Sequence, residues 1–201
     1  MFRRKKFPLL SLVLFGLVFV PPSQLFSAAV TSGQSGDWNN PATWGGTGAD
    51  AIPKSSDDVT LSTGHVVILS TGGLANFGTL AINGKLLLKG NLGSLGGGEV
   101  TIENGGILEQ ANTVQQDLSA GSVGLLTIKN GGILTHAGNT DDSATGGWVE
   151  NAKVNFKVKA ANIEAGGQIN ADGKGFKGST NGCVAGKGPG GGAGEFFPGD
   201  T

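Results

Sequence analysis

Ile102-Glu-Asn-Gly105-Gly-Ile-Leu108 and Ile128-Lys-Asn-Gly131-Gly-Ile-Leu134 are one seven-residue frame written twice. The frame is an apolar residue, two variable positions, a glycine, two more positions and a second apolar residue. Leu61-Ser-Thr-Gly64-His-Val-Val67 and Ile163-Glu-Ala-Gly166-Gly-Gln-Ile169 repeat it, and Ile82-Asn-Gly84-Lys-Leu-Leu87 is a copy one residue shorter. Val59, Leu80, Val100, Leu126 and Ala161 each stand two residues before the first apolar position. Side chains alternate between faces along a strand, so alternation on both sides of a glycine reads as strand, sharp turn, strand. The copies recur at intervals of roughly 20 to 35 residues, the range of solenoid repeats. A unit this short cannot bury its own apolar face, so copies must stack. The expected fold is all-β, a right-handed parallel β-helix with Leu61, Ile82, Ile102, Ile128 and Ile163 in one interior column. An antiparallel β-sandwich is the rival, because strand–glycine–strand units also build hairpins.

Working outward, the N-terminus reads as a secretory signal peptide over residues 1–29. Arg3, Arg4, Lys5 and Lys6 precede an apolar run from Phe7 to Val20, then Pro21-Pro22 and the small residues Ser27-Ala28-Ala29. The run is about 14 residues where a membrane span needs about 20, which favours cleavage after Ala29 over anchorage. Export places the mature chain outside the cell or at its surface, with no membrane span after signal removal. Losing those four cations takes the formal charge from −1 to −5. A mildly acidic chain lacks the basic stripe that nucleic-acid binding requires. Cys183 is the single cysteine, so no internal disulfide can form.

Residues 30–58 read as an N-terminal cap. Trp38 and Trp44 lie in a turn-rich stretch, and two indoles there suit a lid over the exposed strand edges at the end of a solenoid. A flat aromatic platform for stacking a sugar ring is the alternative role for the pair. Residues 59–171 hold the solenoid coils. Asp57 and Asp58, adjacent at the first strand entrance, should point to opposite faces and so not share an ion. Asn104 and Asn130 hold the same frame position, where asparagine tolerates a left-handed backbone and can stack in a ladder. A polar insertion between His136 and Trp148 contains Asp141 and Asp142, and such insertions are where binding usually sits. From Lys153 to Lys159, lysines alternate with Val154, Phe156 and Val158, a strand charged on one face and apolar on the other.

Glycine accounts for 38 of 201 residues and dominates the last segment, 172–201, which reads as flexible. Its two literal G-x-G-x-x-G matches, beginning at Gly173 and Gly186, are not followed by a helix start, so a dinucleotide site is excluded. Gly182-Cys-Val-Ala-Gly186-Lys187 is too short for a phosphate loop, and Gly188 stands where the magnesium-binding hydroxyl belongs. No metal or cofactor is expected. Outward positions carry scattered charges such as Glu99, Glu103, Lys129 and Glu164, without the clustered groups of a catalytic face. No catalytic residue is assigned. The weak binding candidates are Trp38, Trp44, His136, Asp141 and Asp142.

Gly36-Asp-Trp38, Thr43-Trp44-Gly-Gly46, Pro53, Asp58-Val-Thr-Leu61 and Gly64-His65-Val-Val67 together resemble the opening of G8-type domains. The same opening occurs in large bacterial β-helical surface proteins. The run from Ile163 to Phe176 and then Gly186 to Gly192 resembles the glycine-rich segment that follows such coils. The resemblance implies an exported, multidomain surface protein with adhesive or ligand-binding roles, and it supplies no catalytic residues. It also implies further β-helical chain beyond Thr201. The expected function is thus a secreted or cell-surface structural and adhesive module, with extracellular polysaccharide as a candidate partner. The N-terminal part of a polysaccharide lyase or hydrolase is the alternative.

Overall fold

The structure is a computed structural model describing residues 27–92, 98–119, 123–141 and 149–176. Cys183, Trp148, Asp142 and nearly all of the expected signal peptide and glycine-rich segment lie outside the described residues. Among the described residues the chain is all-β with only two short 3₁₀ turns, Pro41–Trp44 and Ala49–Ala51. Among the described residues no helix is long and apolar enough to cross a membrane.

Each frame becomes two strands that enter two different sheets. The first strands are β1 (Ala29–Thr31), β3 (Asp58–Leu61), β6 (Thr79–Ile82), β9 (Glu99–Ile102), β12 (Leu125–Ile128) and β15 (Ala160–Ile163). They form one six-stranded sheet in that order. The second strands are β2 (Gly36–Asp37), β4 (Val66–Leu69), β7 (Lys85–Leu88), β10 (Ile107–Gln110), β13 (Ile133–His136) and β16 (Gln168–Asn170), again in chain order. Two short pairs follow the second sheet: β5 (Leu74–Ala75) with β8 (Asn91–Leu92), and β11 (Gln116–Asp117) with β14 (Phe156–Lys157). Every described pairing is parallel, which removes the hairpins of the antiparallel sandwich.

Register follows the frame. Leu61 pairs Ile82, Ile82 pairs Ile102, Ile102 pairs Ile128, and Ile128 pairs Ile163. The column is buried from Leu61 to Ile128, whereas Ile163 is 49% exposed. The expectation that Ile163 lies in the interior is therefore corrected. Its strand pairs only with β12, and among the described residues no further rung covers its side chain. Val67, Leu86, Leu108 and Leu134 make the facing column from the second sheet, and both columns belong to one core.

The turns hold a second correction. Gly64, Gly105, Gly131 and Gly166 all take positive φ, between 78° and 88°, and no described non-glycine residue does. The left-handed position is thus the frame glycine, not Asn104 or Asn130. A side chain costs strain at such an angle, which explains why this glycine is common to the four full frames. The asparagines act one unit further along. A Cβ on Gly131 would overlap the Asn104 amide, and one on Gly166 would overlap the Asn130 amide.

The stretch expected as a cap also supplies β1 and β2, so stacking begins about 30 residues before the first full frame. Trp38 lies fully buried directly after β2. Its ring meets Trp44 edge-on with centroids 5.0 Å apart and Phe77 at 6.2 Å. Trp44 Nε1 donates to the Trp38 carbonyl at 2.7 Å. Asp57 and Asp58 do diverge. Asp57 is buried and accepts from the Lys54 and Ala28 amides, while Asp58 faces out to Thr79.

The alternating lysines give only a two-residue regular strand, β14, with Val154, Phe156 and Val158 packed on the core. Lys157 Nζ reaches Asp117 Oδ2 across β11 and β14 at 2.9 Å. The Ser119 hydroxyl, followed by Lys157 and the Ser119 amide, holds the Asp117 carboxyl down at about 2.

Two outcomes test these readings. Replacing Ile128 by Asp buries a charge where an isoleucine contributes about 1.5–3 kcal/mol, so the variant should lose cooperative unfolding by circular dichroism. Ile163→Asp should stay within about 0.5 kcal/mol of the parent in denaturant titration; equal damage from both would contradict the burial difference. The second outcome concerns pH. A depressed carboxylate stabilises the fold fully above its ordinary value of 3.8 and loses that contribution as pH falls toward 2. By carboxyl-carbon NMR Asp117 should titrate near 2, and Lys157→Met should raise that value only partway, because Ser119 remains. Titration at the ordinary value in the parent chain would show that these bonds do not form.

Candidate functional site

Sheet two ends in a corner where three consecutive units leave their second strands, and the corner forms a groove of about 360 Å³. Thr71, Gly72, Gly73 and Leu74 come from the first of these units, Lys89, Gly90 and Asn91 from the next, Asn112 and Val114 from the third. Because the units stack in register, these residues line up along the stacking direction. Lys89 N and Gly90 N both donate to the Leu69 carbonyl, and Ala111 N donates to the Leu88 carbonyl, which carries the backbone ladder through the corner.

Below the groove the interior turns polar. The inward column Leu69, Leu88, Gln110, His136 begins aliphatic and then changes character. Gln110 and Gln116 are fully buried. Gln110 Nε2 donates to the Val114 carbonyl at 2.6 Å and to Asn112 Oδ1 at 2.9 Å, while its Oε1 accepts from the Asn155 amide. Gln116 Oε1 accepts from the Leu92 amide at 2.7 Å. Asn112 Nδ2 donates to the Gly90 carbonyl at 2.8 Å. Buried amides must be paired, and Gln110 and Gln116, with the half-buried Asn112, pair with backbone groups at the corner. The groove wall is thereby fixed from inside.

Above the wall, Leu74 is 46% and Val114 47% exposed, one on each flank. Lys89 stands between them, and among the described residues it has no acidic partner. The groove thus offers aliphatic contact, amide hydrogen bonds and one cation.

The residues singled out from sequence lie elsewhere. Trp38 and Trp44 are packed in the core, which removes both faces needed for sugar stacking. His136 is half-buried, with Nδ1 on the Ala137 carbonyl at 2.7 Å. Asp141 Oδ2 accepts from the Val149 amide at 2.6 Å, and the Asp141 amide donates to Asn151 Oδ1. Asn139, buried beneath, accepts from the Asn151 and Ala152 amides, so this segment is tied together by its own side chains. Asp142 lies outside the described residues. Ser27, Ala28 and Ala29 all contact the first sheet: the Ser27 hydroxyl donates to Asp58, the Ala28 carbonyl accepts from the Asp58 amide, and Ala29 pairs Asp58. Cleavage after Ala29 would remove these contacts and leave Val30 and Thr31 in the rung.

A second groove, about 250 Å³, crosses the outer face of the first sheet and is lined by Thr79, Leu80, Ala81, Glu99, Thr101 and Glu103. Lys129 pairs with Glu103 at 2.8 Å beside it, and that hydrogen bond, with Glu103, Glu164 and Glu99 nearby, raises the lysine above its ordinary value. His136 and Asp141 are not part of this groove, so the histidine and the carboxylate of the insertion do not join Glu103 and Lys129 there. Among the described residues no three His, Cys, Asp or Glu side chains come together as metal ligands.

Gln110, Asn112 and Gln116 were invisible to motif reading because they sit in a polar run that resembles a loop. The signal that finds them is the frame itself, since Gln110 falls two residues after Leu108 at an inward position. Replacing Gln116 by Leu strands the buried Leu92 amide and should cost about 1–3 kcal/mol in urea unfolding. A neutral substitution would mean the network does not bear on the wall. No family model matches this chain, and neither the curated proteins nor the solved structures contain a match to it.

Proposed function

We propose that the chain is a right-handed parallel β-helix, exported by its N-terminal signal, that serves as a surface or secreted module binding extracellular polysaccharide. The observation that carries the reading is the corner groove, with Leu74 and Val114 on its flanks, Lys89 between them and its wall fixed by buried amides. Two parallel sheets with in-register inward columns support the helix, and strand crossovers of this kind are right-handed in nearly all proteins. A groove running across successive rungs suits a linear polymer, because it follows the stacking direction and is lined in turn by three consecutive units. Aliphatic side chains meet the C–H faces of a sugar, amides meet its hydroxyls, and a lysine without a partner meets a carboxylate. The polymer best suited is therefore acidic, bearing uronate groups. The G8-like opening fits the same role of an extracellular binding module.

Isothermal titration of the full chain against uronate-containing and neutral oligosaccharides tests this directly. Uronate oligomers should bind, neutral ones should bind more weakly, and Lys89→Gln should weaken uronate binding about tenfold. Leu74→Asp should abolish it. Binding unchanged in both variants would remove the groove from the reading. Release of unsaturated or reducing ends during incubation would instead carry the lyase or hydrolase reading.

A further inference from the structure

We propose that the outer face of the second sheet is a self-association surface, and that its occupant is a second copy of this chain. The outward positions of that sheet form two columns. One runs Val66, Lys85, Ile107, Ile133, Gln168, and the other Asp37, Ile68, Leu87, Glu109, Thr135, Asn170, so the aliphatic part lies over the middle rungs. Val66 is 38% exposed, and Ile68, Leu87, Ile107 and Ile133 are only partly covered. Parallel sheets ordinarily have both faces covered, yet here the aliphatic side chains on this outer face meet solvent. The face is continued by a shallow depression of about 200 Å³ where Val66, Lys85 and Ile107 adjoin His65 and Asn83.

Charge decides the partner. Among the described residues the ionic groups in the centre of the face are Lys85 and Glu109, which pair at 3.1 Å, so the centre carries no net charge, while Asp37 lies at the β2 edge beside Ile68. The outer side of the first sheet is different: Asp58, Glu99, Glu103 and Glu164 outnumber Lys129, and two copies meeting there would repel. A two-fold pairing through the second sheet sets Lys85 of one copy against Glu109 of the other, and the reverse. The same patch is then complementary to itself, the condition for a closed dimer. Packing two sheets face to face also covers the aliphatic columns at ordinary interdigitating spacing.

Sedimentation velocity of the full chain over a concentration series should show a dimer forming from monomer. Ile107→Asp should weaken association about tenfold or more, because it places a charge in the centre of the contact. Lys85→Glu and Glu109→Lys should each give monomers, since each makes the patch carry like charges. An equimolar mixture of those two variants should dimerise, because every charge then faces its opposite across the contact. Loss of folding cannot produce that rescue, and circular dichroism of each variant confirms the strands are intact. A parent chain that stays monomeric throughout overturns the proposal. So does a dimer that survives Ile107→Asp unchanged, or a mixture that fails to associate.

Discussion

The structure depends on one repeated alignment, the in-register parallel stacking of the first apolar residue of each frame. Leu61, Ile82, Ile102 and Ile128 stack directly over one another, and that single alignment fixes everything that flanks them. Since side chains alternate, placing this residue inward places its neighbours outward and its partners two positions away inward again. The frame glycine then turns the chain into the second sheet at a fixed point. A slip of one residue in any unit would turn its apolar column to solvent, so the register has no close competitor.

The architecture of parallel, stacked strands was legible in the sequence because its signal is periodic and repeated five times. Ile102-Glu-Asn-Gly105 and Ile128-Lys-Asn-Gly131 could be superposed by eye, and the structure superposes them. What escaped was whatever broke the period. Trp38, expected in an aromatic cap, is buried against Trp44 and Phe77, and what the sequence did not show is that β1 and β2 of the same stretch join the stacked sheets. Ile163 matched the frame but is left exposed, since burial depends on what lies on both sides of a strand and the frame describes only one. The asparagines illustrate a finer limit. Their conserved spacing with glycine within this chain pointed to the turn, but which of the two adopts the left-handed angle is decided by steric cost, and glycine has the lower cost.

The candidate groove was the least legible part. Its residues come from three units, at positions that lie outside the alternating strands, and no local motif joins Leu74, Lys89 and Val114. They converge only because stacking brings equivalent corners together. Conversely, His136 and Asp141 looked like chemistry because of their side chains, and the structure uses both to hold the backbone of their own segment. A polar residue in a repeat protein carries two competing demands, and local backbone pairing is met first.

The polar interruption of the inward column has a consequence for assembly of the chain itself. A stack of near-identical rungs could pair out of sequence, with one rung omitted, and lose little burial energy. Here Leu69 and Leu88 are followed by Gln110 and then His136 at the same inward position. Gln110 satisfies its amide nitrogen with Asn112 and Val114 of its own rung, and its amide oxygen with the Asn155 amide of the following unit. A stack that skipped the following unit would leave the buried Gln110 Oε1 without its Asn155 donor. This rung therefore carries an address as well as an apolar face, and part of the order of the rungs is written where the inward column is not made of hydrocarbon.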